Sequence, residues 1–284
     1  MRVLVTGANG YLGTGIVKKL LDDCVEVIAT DFTCENVDKR ATIIETNLFE
    51  VEDPWNFFGK PDVLLHLAWK DGFIHNSDSH ILNLSKHVFF IKNILDAGIK
   101  RVAVMGSMHE IGFFEGCISE NTPCFPQSMY GIAKNALRNA TELMTKQTGS
   151  MFQWLRGYYI VGNAEYGCSV FSKIVAAEKK GEALFPFTLG QNQFDFIDYD
   201  TFCTQVAAAV EQEKVLGIID ICSGRPEKLR DRVERFISEN GYSIRLDYGK
   251  FPDRPYDSKA VWGSDLKIGQ IMDAYNRRMS EENN

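Results

Sequence analysis

Several familiar features are missing from this 284-residue chain, and each absence excludes something. No apolar run approaches the roughly 20 residues of a membrane-spanning helix, so no membrane partner is expected. Positive charge is in deficit: 31 Lys and Arg stand against 38 Asp and Glu. The resulting net charge of −7 argues against nucleic acid as a partner. The 7 cysteines are odd in number, scattered, and contain no Cys-x-x-Cys pair. That excludes a disulfide scaffold and a zinc ribbon and predicts reduced thiols in a cytoplasmic protein. Histidine is scarce, with 5 residues. His109-Glu110 opens like a zinc-protease motif, but Phe113 stands where the second His belongs, so no metal site is expected. His80 and His87 could share one helix face and read as a solvated face. There is no low-complexity tail or internal repeat. The chain opens directly on an apolar strand, which predicts no signal peptide. Hydrophobic content of 45% and charged content of 24% leave a globular protein of one large domain or two.

What is present begins with the stretch Val-Thr-Gly-Ala-Asn-Gly-Tyr-Leu-Gly at residues 5–13. A short apolar strand gives way here to helical spacing at Leu12, Ile16, Val17, Leu20 and Leu21. Gly7 permits a tight turn, Gly10 lets a ligand approach the backbone, and Gly13 lets the helix pack on the strand. The helix N-terminus then offers free N–H groups and partial positive charge to a pyrophosphate. This is the dinucleotide fingerprint in the spacing Thr-Gly-x-x-Gly-x-x-Gly. Residues 25–30 form a second apolar strand ending at Asp31, where the fingerprint expects an acid for the adenosine ribose hydroxyls. Gly7, Asn9, Gly10, Tyr11, Leu12, Gly13 and Asp31 are therefore candidate cofactor contacts. Asp31 would repel a 2′-phosphate, so NAD is expected over NADP, unless Lys39 or Arg40 folds back to offset the acid.

Strand and helix patterns alternate beyond this point. Strands are expected at 2–5, 25–30, 42–45, 63–66, 101–105 and 152–156, and helices at 11–21, 78–97 and 130–146. Short apolar strands joined by helices indicate an α/β fold with a doubly wound parallel sheet. After residue 165 the rhythm loosens. A helix at 170–180 precedes a turn-rich stretch at 185–198, followed by a helix at 199–210, a strand at 217–221 and a helix at 227–238. Residues 251–263 read as irregular. The pattern divides the chain into a nucleotide domain over 1–165, to which 190–222 returns, and a smaller interleaved substrate part over 166–189 and 223–284.

A second constellation follows the strand at 101–105, which runs into Gly106-Ser107. The C-terminal end of such a strand is where ligands collect in an open α/β sheet. Downstream, Tyr130 and Lys134 stand four apart on one helix face. A neighbouring ammonium favours phenolate and lowers the Tyr pKa, so Tyr130 can exchange a proton with a sugar hydroxyl or carbonyl. Ser107 can orient the same oxygen. Chance alone can supply one Tyr-x-x-x-Lys pair, but among the 10 Tyr only Tyr130 has a Lys four residues on. It also follows the Ser107 strand in a chain that carries the glycine turn. His109, beside that strand's end, can contact a ligand bound there, and as an imidazole it is the second candidate acid–base group.

With these residues in view, the chain resembles the extended short-chain dehydrogenase/reductases that act on nucleotide sugars, the NAD-dependent epimerase/dehydratase family. The resemblance covers nearly the whole chain: "TGANGYLG" at 6–13, Asp31, "HLAW" at 66–69, Asn83, Ser107, "YGIAK" at 130–134, "LRGYYIVG" at 155–162, "DFIDYD" at 195–200, "ICSGRP" at 221–226 and "RPYD" at 254–257. It implies NAD, with NADP possible, bound on a Rossmann domain, a nucleotide-diphosphate sugar in the smaller part, and a homodimer formed through a helix bundle. It also implies cofactor contacts at Asn47, Leu48, Leu67, Ala68, Trp69, Tyr130 and Lys134. Ser107, Tyr159 and Arg254 fall at substrate positions, Arg254 matching a diphosphate-binding arginine. Three departures stand out: Asn47 replaces the family's usual Asp, Tyr159 its usual Asn, and Phe194 its usual Arg.

The family's dehydratases carry Asp-Glu after the catalytic hydroxyl residue. Met108 and His109 occupy those positions, so elimination of water lacks its acid and base. A 4-keto-6-deoxysugar reductase and a 4-epimerase both need only Ser107, Tyr130 and Lys134, and the sugar-side departures favour the reductase. A non-catalytic nucleotide-sensing protein would be expected to lose Tyr130 or Lys134.

Overall fold

The computed structural model describes residues 1–162, 169–252 and 258–282. Its centre is set by strands that are apolar on both faces. Val3, Leu4 and Val5 of β1 (Arg2–Thr6) are fully buried, as a parallel strand covered by helices on both sides requires. The helix α1 (Gly13–Asp22) follows and buries Ile16, Val17 and Leu20 against it. The elements β2 (Glu26–Asp31), β3 (Thr42–Glu45), α2 (Pro54–Phe57), β4 (Val63–His66), α3 (Ser79–Asp96) and β5 (Arg101–Ser107) come next. After them run β6 (Gly116–Ile118), α4 (Met129–Thr148), β7 (Met151–Gly157), β8 (Tyr159–Val161), α5 (Val170–Lys179), β9 (Leu184–Pro186), β10 (Gln193–Asp198), α6 (Tyr199–Glu211) and β11 (Gly217–Ile221). The chain continues through β12 (Pro226–Lys228), α7 (Leu229–Glu239), β13 (Arg245–Asp247), β14 (Ala260–Gly263) and α8 (Leu266–Glu282).

Seven parallel strands form one sheet in the order β11-β7-β5-β4-β1-β2-β3. This is the doubly wound Rossmann arrangement expected from the alternating pattern. The strand order reverses between β1 and β4, and the crevice at their C-terminal ends is where such sheets bind ligands. A second sheet, β12-β10-β14-β6 with β8 paired to β10, stands beside it, and β13 pairs with β9. Two apolar clusters cover the two faces of the large sheet. A third, containing Phe171, Ile174, Phe187, Phe196, Val233 and Phe236, forms a separate core under the second sheet.

The differences from expectation fall mostly in the C-terminal half. β10 is a strand inside the stretch read as turn-rich, and β14 lies in the segment read as irregular. β10 is held by β12, β14 and β8, and β14 by β10 and β6, all of them apart in the chain. The helix α8 packs Ile268, Ile271 and Tyr275 into the cluster that also holds Ile16 and Val206. The Tyr275 hydroxyl donates to Asp23 at the end of α1, at 2.8 Å. At the N-terminus α1 starts at Gly13 rather than at residue 11, because residues 8–12 are used in the turn.

Candidate active site

The glycine turn is built by close approach. Gly7 has a φ of +70°, which favours a residue without Cβ, and a Cβ there would lie 2.7 Å from the backbone of Ala68. A Cβ on Gly13 would lie 2.2 Å from the Gly7 carbonyl oxygen. Gly10 differs: a Cβ there would meet only that carbonyl, at 3.3 Å, and the residue lines the cleft. The Asp31 carboxylate stands at the end of β2, accepting from the backbone N–H groups of Asn9 at 3.1 Å and Phe32 at 2.8 Å. The Asn9 side chain ties the following loop, accepting from the Asn36 N–H at 2.9 Å. Lys39 donates to the Cys34 carbonyl, and Arg40 pairs with Asp22 and Asp38, so neither cation is turned to Asp31. Tyr11 donates to the Gly162 carbonyl at 2.9 Å, which ties the turn to the end of β8. Asn47 caps a short 3-10 turn by accepting from the Phe49 N–H, and Leu48 is buried beneath it. Leu12, Leu67, Ala68 and Trp69 complete the wall of one cleft of about 1810 Å³.

These residues fit a dinucleotide: the cradle a Cβ would fill, the helix start and the acid that ends β2 lie in one cleft. Gly10→Val is accordingly expected to abolish NAD binding while the chain stays folded, because the added methyls enter space that the protein leaves open. Calorimetric titration of NAD into the variant, with circular dichroism as the folding control, checks this. Unchanged NAD affinity in the folded variant refutes it.

The candidates Ser107, Tyr130 and Lys134 meet where β5 ends and α4 begins. Ser107 caps the 3-10 turn over residues 108–110, its hydroxyl accepting from the His109 N–H at 3.3 Å. Ser128 caps α4 by accepting from the Gly131 N–H. A Cβ on Gly131 would lie 2.3 Å from the His109 carbonyl oxygen, so this glycine lets α4 press against the turn. The result is that the Tyr130 phenol faces the same cleft as Ser107, near enough for the Ser107 hydroxyl to favour its ionised form. Lys134 is buried one turn on. Its Nζ donates to the Met105 carbonyl at 2.8 Å and sits 4.0 Å from the centre of the Trp69 ring. Ser107, Tyr130 and Lys134 are thus brought together in the cleft that holds the glycine turn.

The electrostatics correct one expectation. Lys134 does not lower the Tyr130 pKa; burial pushes the phenol up to about 12, with the neighbouring Ser107 hydroxyl opposing. The ammonium is itself pulled down to about 7 by burial, against the attraction of Glu110. The two groups share an apolar site, and Lys134 turns its charge to a carbonyl and an indole face instead of the phenol oxygen. His109 likewise does not titrate near neutrality. Burial, with His75 as a second cause, holds it down to about 4. Glu110, the one carboxylate on this turn, accepts from Trp154 at 2.8 Å and Arg156 at 2.7 Å in the buried core, and so is committed there.

His80 and His87 are not on a solvated face. Both are buried, His87 stacking on Trp69 at 4.5 Å and His80 accepting from the indole N–H at 3.0 Å. His66 shares a hydrogen bond with His87. Helical spacing put His80 and His87 on a common face correctly, but the loop carrying Trp69 covers that face, which no periodicity reveals. Among the described residues, no group of three His, Cys, Asp or Glu is placed to hold a metal ion. His75 was missed by sequence reasoning because it sits in a loop without pattern. It stacks on Tyr130 at 5.6 Å and touches His109 at 4.2 Å. On the far side of the cleft Tyr159 packs on Phe194 at 4.6 Å. Arg254 lies outside the described residues.

A dinucleotide turn at β1, an acid ending β2 and a Ser-Tyr-Lys group at the end of β5, all on the crevice of a doubly wound sheet, define the short-chain dehydrogenase/reductase class. Within it, the chain belongs to the NAD-dependent epimerase/dehydratase family, whose sequence pattern matches residues 3–222. A dTDP-6-deoxy-L-talose 4-dehydrogenase (NAD(+)) from Aggregatibacter actinomycetemcomitans is 40% identical over 270 residues, spanning 93% of this chain and 100% of that protein. Among solved structures, the UDP-N-acetylglucosamine 4-epimerase of Methanobrevibacter ruminantium, in complex with UDP-N-acetylmuramic acid, superposes with a TM-score of 0.82 at 21% identity. The match covers 95% of this chain and 91% of that one. The UDP-glucose 4-epimerase of Thermus thermophilus, complexed with NAD, gives 0.80 at 21% identity over 95% and 92%. At these identities the two structures share the fold.

Proposed function

We propose that this protein is an NAD-dependent oxidoreductase acting at C4 of a nucleotide-diphosphate 6-deoxysugar, interconverting the 4-hydroxyl and 4-keto forms and serving as a 4-keto reductase. The observation that carries it is the meeting of Ser107, Tyr130 and, one turn on, Lys134 in the cleft that holds the glycine turn. Residues 7–13 would hold the cofactor's pyrophosphate, Asp31 its adenosine ribose, and Leu67, Ala68, Trp69 and Lys134 its nicotinamide half. When bound, NAD supplies the hydride acceptor or donor. Tyr130 passes the proton to or from the C4 oxygen, and Ser107 orients that oxygen. A phenol held near 12 is protonated at neutral pH, which is the form that reduction of a ketone requires. The 40% identical relative, named for 4-dehydrogenation of a 6-deoxysugar, supports the same carbon and sugar class.

Tyr159 and His109 serve as sugar-side contacts in this reading, together with Arg254. The chain reads as a nucleotide domain over 1–165 and 190–222 and a smaller part over 166–189 and 223–284, with the exceptions that α8 packs on the nucleotide domain and that β6 and β10 pair in the second sheet. A homodimer through α3 and α4 is supported by the exposed Ile81, Leu82, Phe89, Ile132 and Leu143 on these two packed helices, and light scattering checks it.

The test is turnover on a panel of nucleotide 4-keto-6-deoxysugars with NADH or NADPH, followed by loss of reduced nicotinamide and by product identity. Net oxidation of NADH with a larger kcat/KM than NADPH is expected. C4 inversion without net change in NAD would instead identify a 4-epimerase, and a clear NADPH preference would mean that Asp31 is not the ribose contact.

A further inference from the structure

We propose that His75, paired with His109, is a specificity-determining residue that binds the ring hydroxyls of the nucleotide-linked hexose beside Tyr130. This rests on the function proposed above and names the side chains that would read the sugar.

The loop between β4 and α3 is built rather than loose. Asp71 accepts from the hydroxyls of Ser77 at 2.9 Å and Ser79 at 2.8 Å. His80 uses its Nδ1 to accept from the Trp69 indole, so its Nε2–H donates to the Ile74 carbonyl at 3.0 Å. The loop then satisfies two N–H groups that a helix leaves open in its first turn. The His75 carbonyl accepts from the Tyr130 N–H at 2.9 Å, and the Asn76 side chain accepts from the Met129 N–H at 3.3 Å. His75 is thereby locked to the residue proposed to carry the proton. Its ring lies nearly parallel to the phenol, with an interplanar angle of 11°.

The ring nitrogens are the other half of the argument. Among the described residues, no side chain or backbone group hydrogen-bonds the ring nitrogens of His75 or His109, and both residues line the cleft. Burial lowers the pKa of both, so at neutral pH each imidazole offers one donor and one acceptor, the pair of functions a sugar hydroxyl needs. The rings of Tyr159, Phe194 and Phe196 pack together elsewhere in the lining. His75 and His109 touch each other beside Tyr130, and there they present these functions to the cleft.

The experiment is calorimetric binding to the NAD-loaded full-length protein. The ligands are dTDP-, UDP- and GDP-linked 6-deoxyhexoses, dTDP-6-deoxy-L-talose first, each compared with its parent nucleoside diphosphate. His75→Phe keeps an aromatic ring on Tyr130 and removes both nitrogens. It is expected to weaken the sugar nucleotide about tenfold, as loss of one or two hydrogen bonds would, and to leave the parent diphosphate and NAD within about twofold. His75→Asn, which keeps a donor and an acceptor, should restore most of the loss. In turnover, the change should appear in KM for the sugar nucleotide more than in kcat. Equal weakening of sugar nucleotide and parent diphosphate would show a merely structural role and overturn the proposal, as would no weakening at all. If the wild type binds a sugar nucleotide but turns none over, the proposed reaction fails while the His75 comparison still decides this inference. If the wild type binds no sugar nucleotide, both fall.

Discussion

Tyr130→Phe is expected to lower kcat by about 10²–10⁴-fold, the usual contribution of a general acid or base, while NAD affinity stays close to that of the wild type. The phenyl ring fills the same volume. It keeps its stacking with His75, its edge contact with Trp69 and its packing near His80. Only the hydroxyl is lost, and with it the group that Ser107 neighbours. Ser107→Ala should cost less, because in the proposed reaction Ser107 orients the reacting oxygen without carrying the proton. The ordering is the measurement: single-turnover rates should fall further for Tyr130→Phe than for Ser107→Ala. Retention of more than about a tenth of the wild-type chemical rate would remove Tyr130 from the acid–base role. His109 is a poor substitute, since burial holds its pKa at about 4 and leaves it without a proton to give at neutral pH.

Lys134→Met is expected to abolish turnover, weaken NAD by about tenfold, and yet stabilise the fold at pH 7. Burial holds the folded-state pKa of this lysine at about 7, below its ordinary 10.5. Between those values the unfolded chain carries a proton that the folded chain does not, so this group's contribution to stability rises with pH across that window. Below about pH 7 the cost of keeping the ammonium buried is present in full. Methionine has nearly the same length and no charge to desolvate. Against that gain stand the lost hydrogen bond to Met105 and the lost contact with the Trp69 ring, each worth on the order of 1 kcal/mol. A net gain of roughly 2 kcal/mol, about 3–6 °C in Tm, is expected at pH 7 and should shrink as the pH is raised toward 10. Thermal melts of both proteins at several pH values decide it. A lower Tm for the variant at pH 7 would mean that Met105 and the indole more than offset the burial of the charge.

Much of this protein is legible in the sequence alone. Runs such as residues 3–5, 63–66 and 101–105 are apolar on both faces, and a strand of that kind can be satisfied only inside a sheet covered on both sides. The glycines at 7 and 13 announce a turn because the backbone approaches there leave no room for a Cβ, and Tyr130 and Lys134 share a face by helical spacing alone. Local chemistry of this kind is written in consecutive residues. The short strands β10 and β14 were not legible, since each exists through pairing with a partner distant in the chain. The burial of His80 and His87 was not legible either, because the face they share is covered by a loop whose course depends on Trp69. The protonation of the reactive group belongs to the same category. Spacing placed an ammonium near a phenol, but only the packed site shows Lys134 turned to the Met105 carbonyl, with burial governing both groups. Periodicity carries information over one or two turns of chain. Desolvation and cross-loop contacts depend on what the rest of the chain brings into the same few ångströms, and that is a property of the tertiary structure alone.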